Sequence, residues 1–299
     1  MKKIYFNEAK KKNNARRGLI KLSTDLLTTL SPALSNGLSY RLFTNPYGKR
    51  ETPFQSVIPN ESFSLKTKRM GEVQVYFFKG GNKHVLLTHG WADTSLCYKK
   101  MLIDLLNEGY SVWCFDHIGH GLSDGRVSHM FAFIDGIESV IKEIEKRDYE
   151  LVSLVGHSMG GAALLNLDSK LLKNRKVVLI SIPILFFEDM FQKMDRVGVS
   201  KRMVLSLLED VSKNYESHWQ KLKPLNHRDK VNDHFLFIHD REDRYCPSAD
   251  VEEFLFSSDR EKESGVEEFQ FFQTRGLGHR RLLKDSAVIG KVLEFINHG

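Results

Sequence analysis

The sequence predicts an α/β fold: a mostly parallel central sheet with helices on both faces, an antiparallel N-terminal hairpin and a small helical cap. Three observations predict it. From residue 63 onward, short apolar runs alternate with helical periodicities. Those runs are apolar throughout, as strands covered on both faces are. One stretch of about fifty residues, Ile184 to Asn232, carries helical patterns and no strand, which marks an insertion between two sheet strands.

Along the chain, residues 1–50 read as a basic arm. Within it Leu19, Leu22, Leu26 and Leu30 recur at spacings of three and four, one face of a helix that Pro32 breaks or restarts. Three fates suit that face: packing on the body, which is the commoner outcome, contact with a partner, or seating on an anionic membrane surface. TNPYGKRETP, rich in turn formers, is the linker to a domain over residues 51–299. SFSLKTKR and EVQVYFFK alternate as strands around a Met70-Gly71 hairpin turn. HVLLTHG is the next strand, followed by a helix near Tyr98–Asn107 and the strand SVWCFDH. A helix over about Phe131–Lys146 precedes ELVSLVG, and a further helix leads to KVVLISI. After the insertion come HFLFIHD, a helix near Asp250–Phe256, the strand EEFQFFQ and a final helix from about Arg281.

The totals narrow the function classes. With 299 residues, 41% hydrophobic, the chain can fill one large core. Cys97, Cys114 and Cys246 lie far apart and form no disulfide framework or CxxC pair. No apolar run approaches the roughly 20 residues of a membrane span, and the charged first residues lack the apolar centre of a secretory signal. A cytoplasmic protein is therefore expected, with contact to a membrane surface or a partner through residues 1–45 as the arm's alternative to packing. The net charge of +6 is uneven: residues 1–50 carry eleven Lys and Arg against Glu8 and Asp25, and the remainder carries −3. Basicity confined to the arm argues against a nucleic-acid-binding body.

Chemistry concentrates at Gly156-His157-Ser158-Met159-Gly160, a G-x-S-x-G with a strand before it and a helix after it. A sharp turn there lifts the serine hydroxyl clear of the sheet, and glycines two positions either side leave it room. A serine needs a base, and the base needs an orienting carboxylate. In this arrangement the chain order is Ser, acid, His. His279, in the glycine-bearing TRGLGHRRLL, is the base; His298 also lies beyond the acids but at the extreme tail. Asp240, Glu242 and Asp243 compete as the acid after HFLFIHD, with Asp243 favoured because it stands three residues beyond the strand end. Backbone N–H groups of Met159 and Trp91 are the candidate oxyanion donors.

These residues resemble the α/β-hydrolase family, specifically its capped, esterase- or lipase-like members with an HG oxyanion loop. The resemblance runs over about residues 63–297 and includes T-H-G-W (88–91), F-D-H-I-G-H-G-L-S (115–123), G-H-S-M-G-G (156–161), His239 to Pro247 and G-L-G-H (276–279). Asp240 stands where the family often carries glycine. The resemblance implies a serine hydrolase of small-molecule carboxylic esters, with an acyl-enzyme on Ser158, no cofactor and no metal. In the family the segment like Asp116–Ser123 is a structural loop, so Asp116 and His120 receive no chemistry. His157, Phe186, Phe187 and Met190 are candidates for a substrate pocket, and the apolar insertion favours an apolar acyl group. Thioesterase, amidase or cofactor-free perhydrolase chemistry on the same triad remains open, as does a ligand receptor with a vestigial site. Oligomeric state is left undetermined.

Overall fold

The computed structural model of the chain describes residues 14–47, 49, 54, 57–256 and 269–298. In chain order the elements are α1 (Asn14–Leu30), α2 (Pro32–Phe43), β1 (Glu61–Lys66), β2 (Glu72–Phe78), β3 (Lys83–Thr88), α3 (Lys99–Asn107), β4 (Ser111–Asp116), α4 (Met130–Lys146), β5 (Glu150–His157), α5 (Met159–Leu165), α6 (Ser169–Leu172), β6 (Lys176–Ile180), α7 (Phe186–Val197), α8 (Lys201–Lys213), β7 (Phe235–Asp240), α9 (Ser248–Phe256), β8 (Gln270–Thr274), α10 (Gly278–Arg281) and α11 (Ser286–Asn297). They divide into two compact units, Met1–Asn45 with Leu185–Asn226, and Pro46–Ile184 with His227–Gly299.

The larger unit is built on one eight-stranded sheet in the order β1-β2-β4-β3-β5-β6-β7-β8. The β1–β2 and β2–β4 pairs are antiparallel, and the other five are parallel. The apolar runs pair in the middle of the sheet because both of their faces are covered. On one face Val85, Leu87, Cys114, Val155 and Ile238 join Met101 and Leu105 of α3 and Val292 and Phe295 of α11. The alternate residues Leu86, Trp113, Phe115, Leu154 and Leu179, which point the other way along the pleat, are fully buried as well. Because β3, β5, β7 and β8 run parallel, their C-terminal ends open on one rim of the sheet. Register fixes the neighbours there: Thr88 lies opposite Gly156, His157 opposite Ile180, and Asp240 opposite Thr274.

Element ends differ from the sequence expectation in two places. The final helix does not run from Arg281. A 3-10 turn over Leu282–Lys284 intervenes, and α11 restarts where the Asp285 carboxylate accepts from the Ala287 and Val288 N–H groups at 3.0 and 3.1 Å. The last strand occupies Gln270–Thr274, and residues 267–268 of the expected EEFQFFQ lie outside the described residues. Also outside them are the charged tail 1–13 and part of the linker over 44–53. Cys97 is half-buried, Cys114 and Cys246 are buried, and the three are not joined in disulfides.

The smaller unit is helical. It groups α1 and α2 with the inserted segment, which it bounds at Leu185–Asn226. Helices α1 and α2 meet at Ser31, with Pro32 at the start of α2, where a missing N–H removes no helical bond. The packed face is the small polar one. Thr28 and Ser35 are buried and hydrogen-bonded to each other at 2.8 Å. Thr24 accepts from the Ser200 N–H at 3.0 Å, and Ser206 meets Asn36 at 2.7 Å. Arg17 pairs with Asp195 at 2.6 Å. The leucine face, for which packing was the commoner expectation, stays exposed: Leu22 by 59% and Leu30 by 79%. The threonine hydroxyls bond back to carbonyls one turn earlier, Thr24 to Ile20 and Thr28 to Thr24, so this face can be buried without orphaned polar groups. In α7, Phe187 is buried, its ring 5.1 Å from Phe186 and 5.2 Å from Trp219.

Candidate active site

Ser158 follows β5 directly and precedes α5. Its backbone has φ 52° and ψ −123°, a conformation that costs a side-chain-bearing residue about 1–3 kcal/mol. The flanking glycines are forced by close approach. A Cβ on Gly156 would sit 2.6 Å from the Gly161 Cα, and one on Gly160 would collide with the His89 carbonyl oxygen and lie 2.5 Å from that of Thr88. The strand-to-helix turn therefore presses against the end of β3, and the His89–Trp91 loop lies beside the serine: a Cβ on Gly90 would be 2.7 Å from the Ser158 Cβ.

The structure brings Ser158, His279 and Asp243 together. The His279 Nε2 lies 3.1 Å from the Ser158 Oγ, and its Nδ1 lies 2.8 Å from the Asp243 Oδ2. A carboxylate only accepts, so Nδ1 carries the proton and Nε2 is left to accept from the hydroxyl. The Asp243 side chain is fully buried. Burial works to raise its pKa, but the His279 hydrogen bond and charge and the Cys246 and Tyr245 amides outweigh it and hold the carboxyl below its usual value. Those amides donate to Oδ1 at 3.0 and 2.8 Å.

Asp240 goes elsewhere. Its Oδ1 accepts from the Glu242 N–H at 2.9 Å, and its Oδ2 from the Thr274 hydroxyl at 2.8 Å and the Leu277 N–H at 2.9 Å. The carboxylate thus ties β7 to the loop that carries His279. Glu242 pairs outward with Arg275 at 3.2 Å, and His298 is exposed near the end of the chain, bonded to the Glu294 carbonyl.

Met159 is the first residue of α5, so its N–H has no intrahelical acceptor. Trp91 follows Gly90 in the loop after β3, and its indole stacks at 6.3 Å on Phe133. The buried histidines around this loop hold it in place. The His89 Nδ1 donates to the Gly90 carbonyl at 2.7 Å, and its Nε2 accepts from the His117 N–H at 3.0 Å. The His120 Nε2 accepts from the Ala92 N–H at 3.1 Å. Asp116 is a structural acceptor for the Ser95 N–H and hydroxyl, the Leu122 N–H and the Tyr76 hydroxyl.

Of the pocket candidates, His157 faces the His279 loop: it is 2% exposed, and its Nε2 donates to the His279 carbonyl at 2.8 Å. Burial, followed by the neighbouring His279 imidazole, pushes its pKa down to about 3. Phe186, Phe187 and Met190 belong to α7 of the helical unit. Sequence reasoning missed three supports: the Asp240 ties, the His157 bond, and an ion pair at 2.6 Å between Arg280, next to His279, and Asp93 of the β3 loop. Two of them offered a signal: Asp240, where the resembled family often carries glycine, and Asp93, a loop acid near the HG motif. Among the described residues, no three His, Cys, Asp or Glu side chains converge as a metal-binding set.

A family model described as serine aminopeptidase, S33, matches residues 81–234, just over half of the chain. A serine hydrolase-like protein of Danio rerio is 38% identical over 78 residues, 26% of this chain and 24% of that protein. The monoglyceride lipase of Homo sapiens is 34% identical over 83 residues, 26% and 27% of the two chains. The chain spans between 24% and 36% of the length of these and other curated relatives. An esterase of Pyrococcus furiosus shares the fold, with a TM-score of 0.65 at 20% identity over 85% of this chain and 97% of that one.

Proposed function

The chain belongs to the serine aminopeptidase S33 family and has the α/β-hydrolase fold; from that premise we propose that it hydrolyses small-molecule carboxylic esters through an acyl-enzyme on Ser158. The observation that carries this reading is the hydrogen-bonded line from Asp243 through His279 to Ser158. The Ser158 Oγ attacks the acyl carbonyl as its proton passes to the His279 Nε2, and Asp243 stabilises the imidazolium. The carbonyl oxygen takes up negative charge facing the Met159 and Trp91 N–H groups. The tetrahedral species collapses, and the leaving alkoxide takes the proton from Nε2. Water then attacks the acyl-enzyme, giving its proton to the same nitrogen, and Ser158 leaves with that proton. This sequence uses no cofactor. Names of relatives support an ester substrate, namely the monoglyceride lipase and the esterase. The composition of the insertion, with Phe186, Met190 and Phe191 half-buried, supports an apolar acyl group.

The test is a chain-length series of p-nitrophenyl esters against wild type and Ser158→Ala. The expected loss in kcat is about a thousandfold or more, with the best kcat/KM on a medium or long chain. Equal turnover by the two proteins rejects the proposal. A second reading, amide hydrolysis, is favoured by the description of the matched family as an aminopeptidase. An ester and an anilide sharing one acyl group separate the two.

A further inference from the structure

The leucines that α1 leaves exposed do not stop at Pro32. Leu19, Leu22, Leu26, Leu30, Leu34, Leu38 and Leu42 follow one another at spacings of three or four across the α1–α2 junction, each 45–79% exposed. The four on α1 span roughly 16 Å at 1.5 Å per residue, and the series continues on α2 beyond the non-helical Ser31. The opposite face, with Thr28, Ser35 and Ser39, is the buried one. This is the reverse of the usual arrangement, in which the apolar stripe faces the core. Arginines accompany the stripe: Arg16 precedes Leu19 by three residues, Arg41 stands between Leu38 and Leu42, and both are exposed. The first fifty residues carry +9 while the rest of the chain carries −3.

We propose that this leucine stripe on α1 and α2 is a docking face for an anionic lipid surface, on which it lies in the interfacial plane. No described helix is long and apolar enough to cross a membrane, so the face seats on the bilayer without spanning it. Charge decides the occupant. Apolar side chains alone suit a second copy or a protein groove equally, but an apolar stripe accompanied by exposed arginines, in a segment of strong positive charge, matches acyl chains beneath anionic headgroups. The proposal stands apart from the reaction at Ser158 and is tested without turnover.

The experiment is co-sedimentation of the full chain with phosphatidylglycerol–phosphatidylcholine vesicles and with phosphatidylcholine vesicles at low salt. Wild type is expected to bind the anionic vesicles, and the neutral ones roughly tenfold less. Leu22→Glu/Leu26→Glu is expected to lower anionic binding by roughly tenfold or more with an unchanged unfolding midpoint. Arg16→Gln/Arg41→Gln is expected to narrow the gap between the two vesicle types. Should the glutamate pair lower the midpoint, Leu22→Ser/Leu26→Ser replaces it. Failure of wild type to bind, or equal binding by folded leucine variants, overturns the proposal. So does a wild-type dimer that the leucine variants dissociate, which would assign the face to a second copy.

Discussion

Replacing Asp243 and Asp240 separately by asparagine distinguishes a carboxylate that orients the base from one that holds its loop. At Asp243 the two oxygens have different partners. Oδ1 accepts from the Tyr245 and Cys246 amides, and Oδ2 faces the His279 Nδ1. In Asp243→Asn the two amides retain the oxygen, so the NH₂ must point at His279. Two donors cannot face each other, and the imidazole shifts its proton to Nε2, the atom that should accept from Ser158. Loss of the working tautomer lowers kcat by about 10⁴, or roughly 5.4 kcal/mol. At Asp240 the preferred amide orientation keeps its oxygen toward Thr274 and Leu277 and turns the NH₂ toward Glu242. The bond from the Glu242 N–H is lost, and the two that still tie the loop become neutral, each about 1 kcal/mol weaker. Asp240→Asn should therefore cost about 2–4 kcal/mol of stability and less than about tenfold in kcat. Kinetics on one p-nitrophenyl ester, with urea unfolding of both variants, reads the two quantities. A larger kcat loss in Asp240→Asn than in Asp243→Asn would refute the assignment.

Other outcomes follow from the same contacts. Gly160→Ala drives a methyl group into the Thr88 and His89 carbonyls; overpacking of this kind costs about 1–3 kcal/mol, and the displaced oxyanion loop should lower kcat more than it raises KM. Arg280→Ala breaks an ion pair whose arginine side chain is 55% exposed, so urea unfolding should show a loss below about 1 kcal/mol. Acid should destabilise the fold: burial, then His89, pushes the His120 pKa to about 3, and burial likewise pushes that of His157 to about 3. Folded-state values below the free value of about 6.5 mean that the unfolded chain binds more protons between these limits. The stabilisation is therefore complete above about pH 6.5 and declines as pH falls toward 3, by about 1.4 kcal/mol per histidine at pH 5.5. Melting between pH 8 and 4.5 checks this; a flat midpoint would contradict it.

Much of the sheet was legible because strands buried on both faces must be apolar throughout, as Val112 to Phe115 are. The turn around Ser158 was legible for a similar reason: close packing against Gly161 admits only glycine at 156, close packing against the end of β3 admits only glycine at 160, and glycines flanking one serine between a strand and a helix are visible in the chain. Which aspartate meets His279 was less so. Asp240 and Asp243 are three residues apart, and what separates them is a bond to Thr274 and Leu277, more than thirty residues on. That pairing depends on β7–β8 register, which no local pattern encodes. The leucine face of α1 misled for a physical reason. Periodicity identifies the apolar face, but threonines and serines that satisfy their own hydroxyls can form the packed one.

The supports of His279 arrive from three strand ends. Asp240 comes from β7, His157 from β5, and Asp93 from the loop after β3 by way of Arg280. Each therefore fixes the histidine loop to an element next to another part of the site. His157 carries a further constraint, because its ring centroid is 4.8 Å from that of His279. Two imidazolium charges at that separation would repel by about 3 kcal/mol at an effective dielectric of 20. Such repulsion would oppose the protonation of His279 that the proposed attack by Ser158 requires. Burial removes the conflict by keeping His157 neutral, with its Nε2–H on the His279 carbonyl and its Nδ1 without a hydrogen-bond partner among the described residues. The desolvation that makes this fold sensitive to acid is thus the same desolvation that leaves the neighbouring histidine free to take a proton.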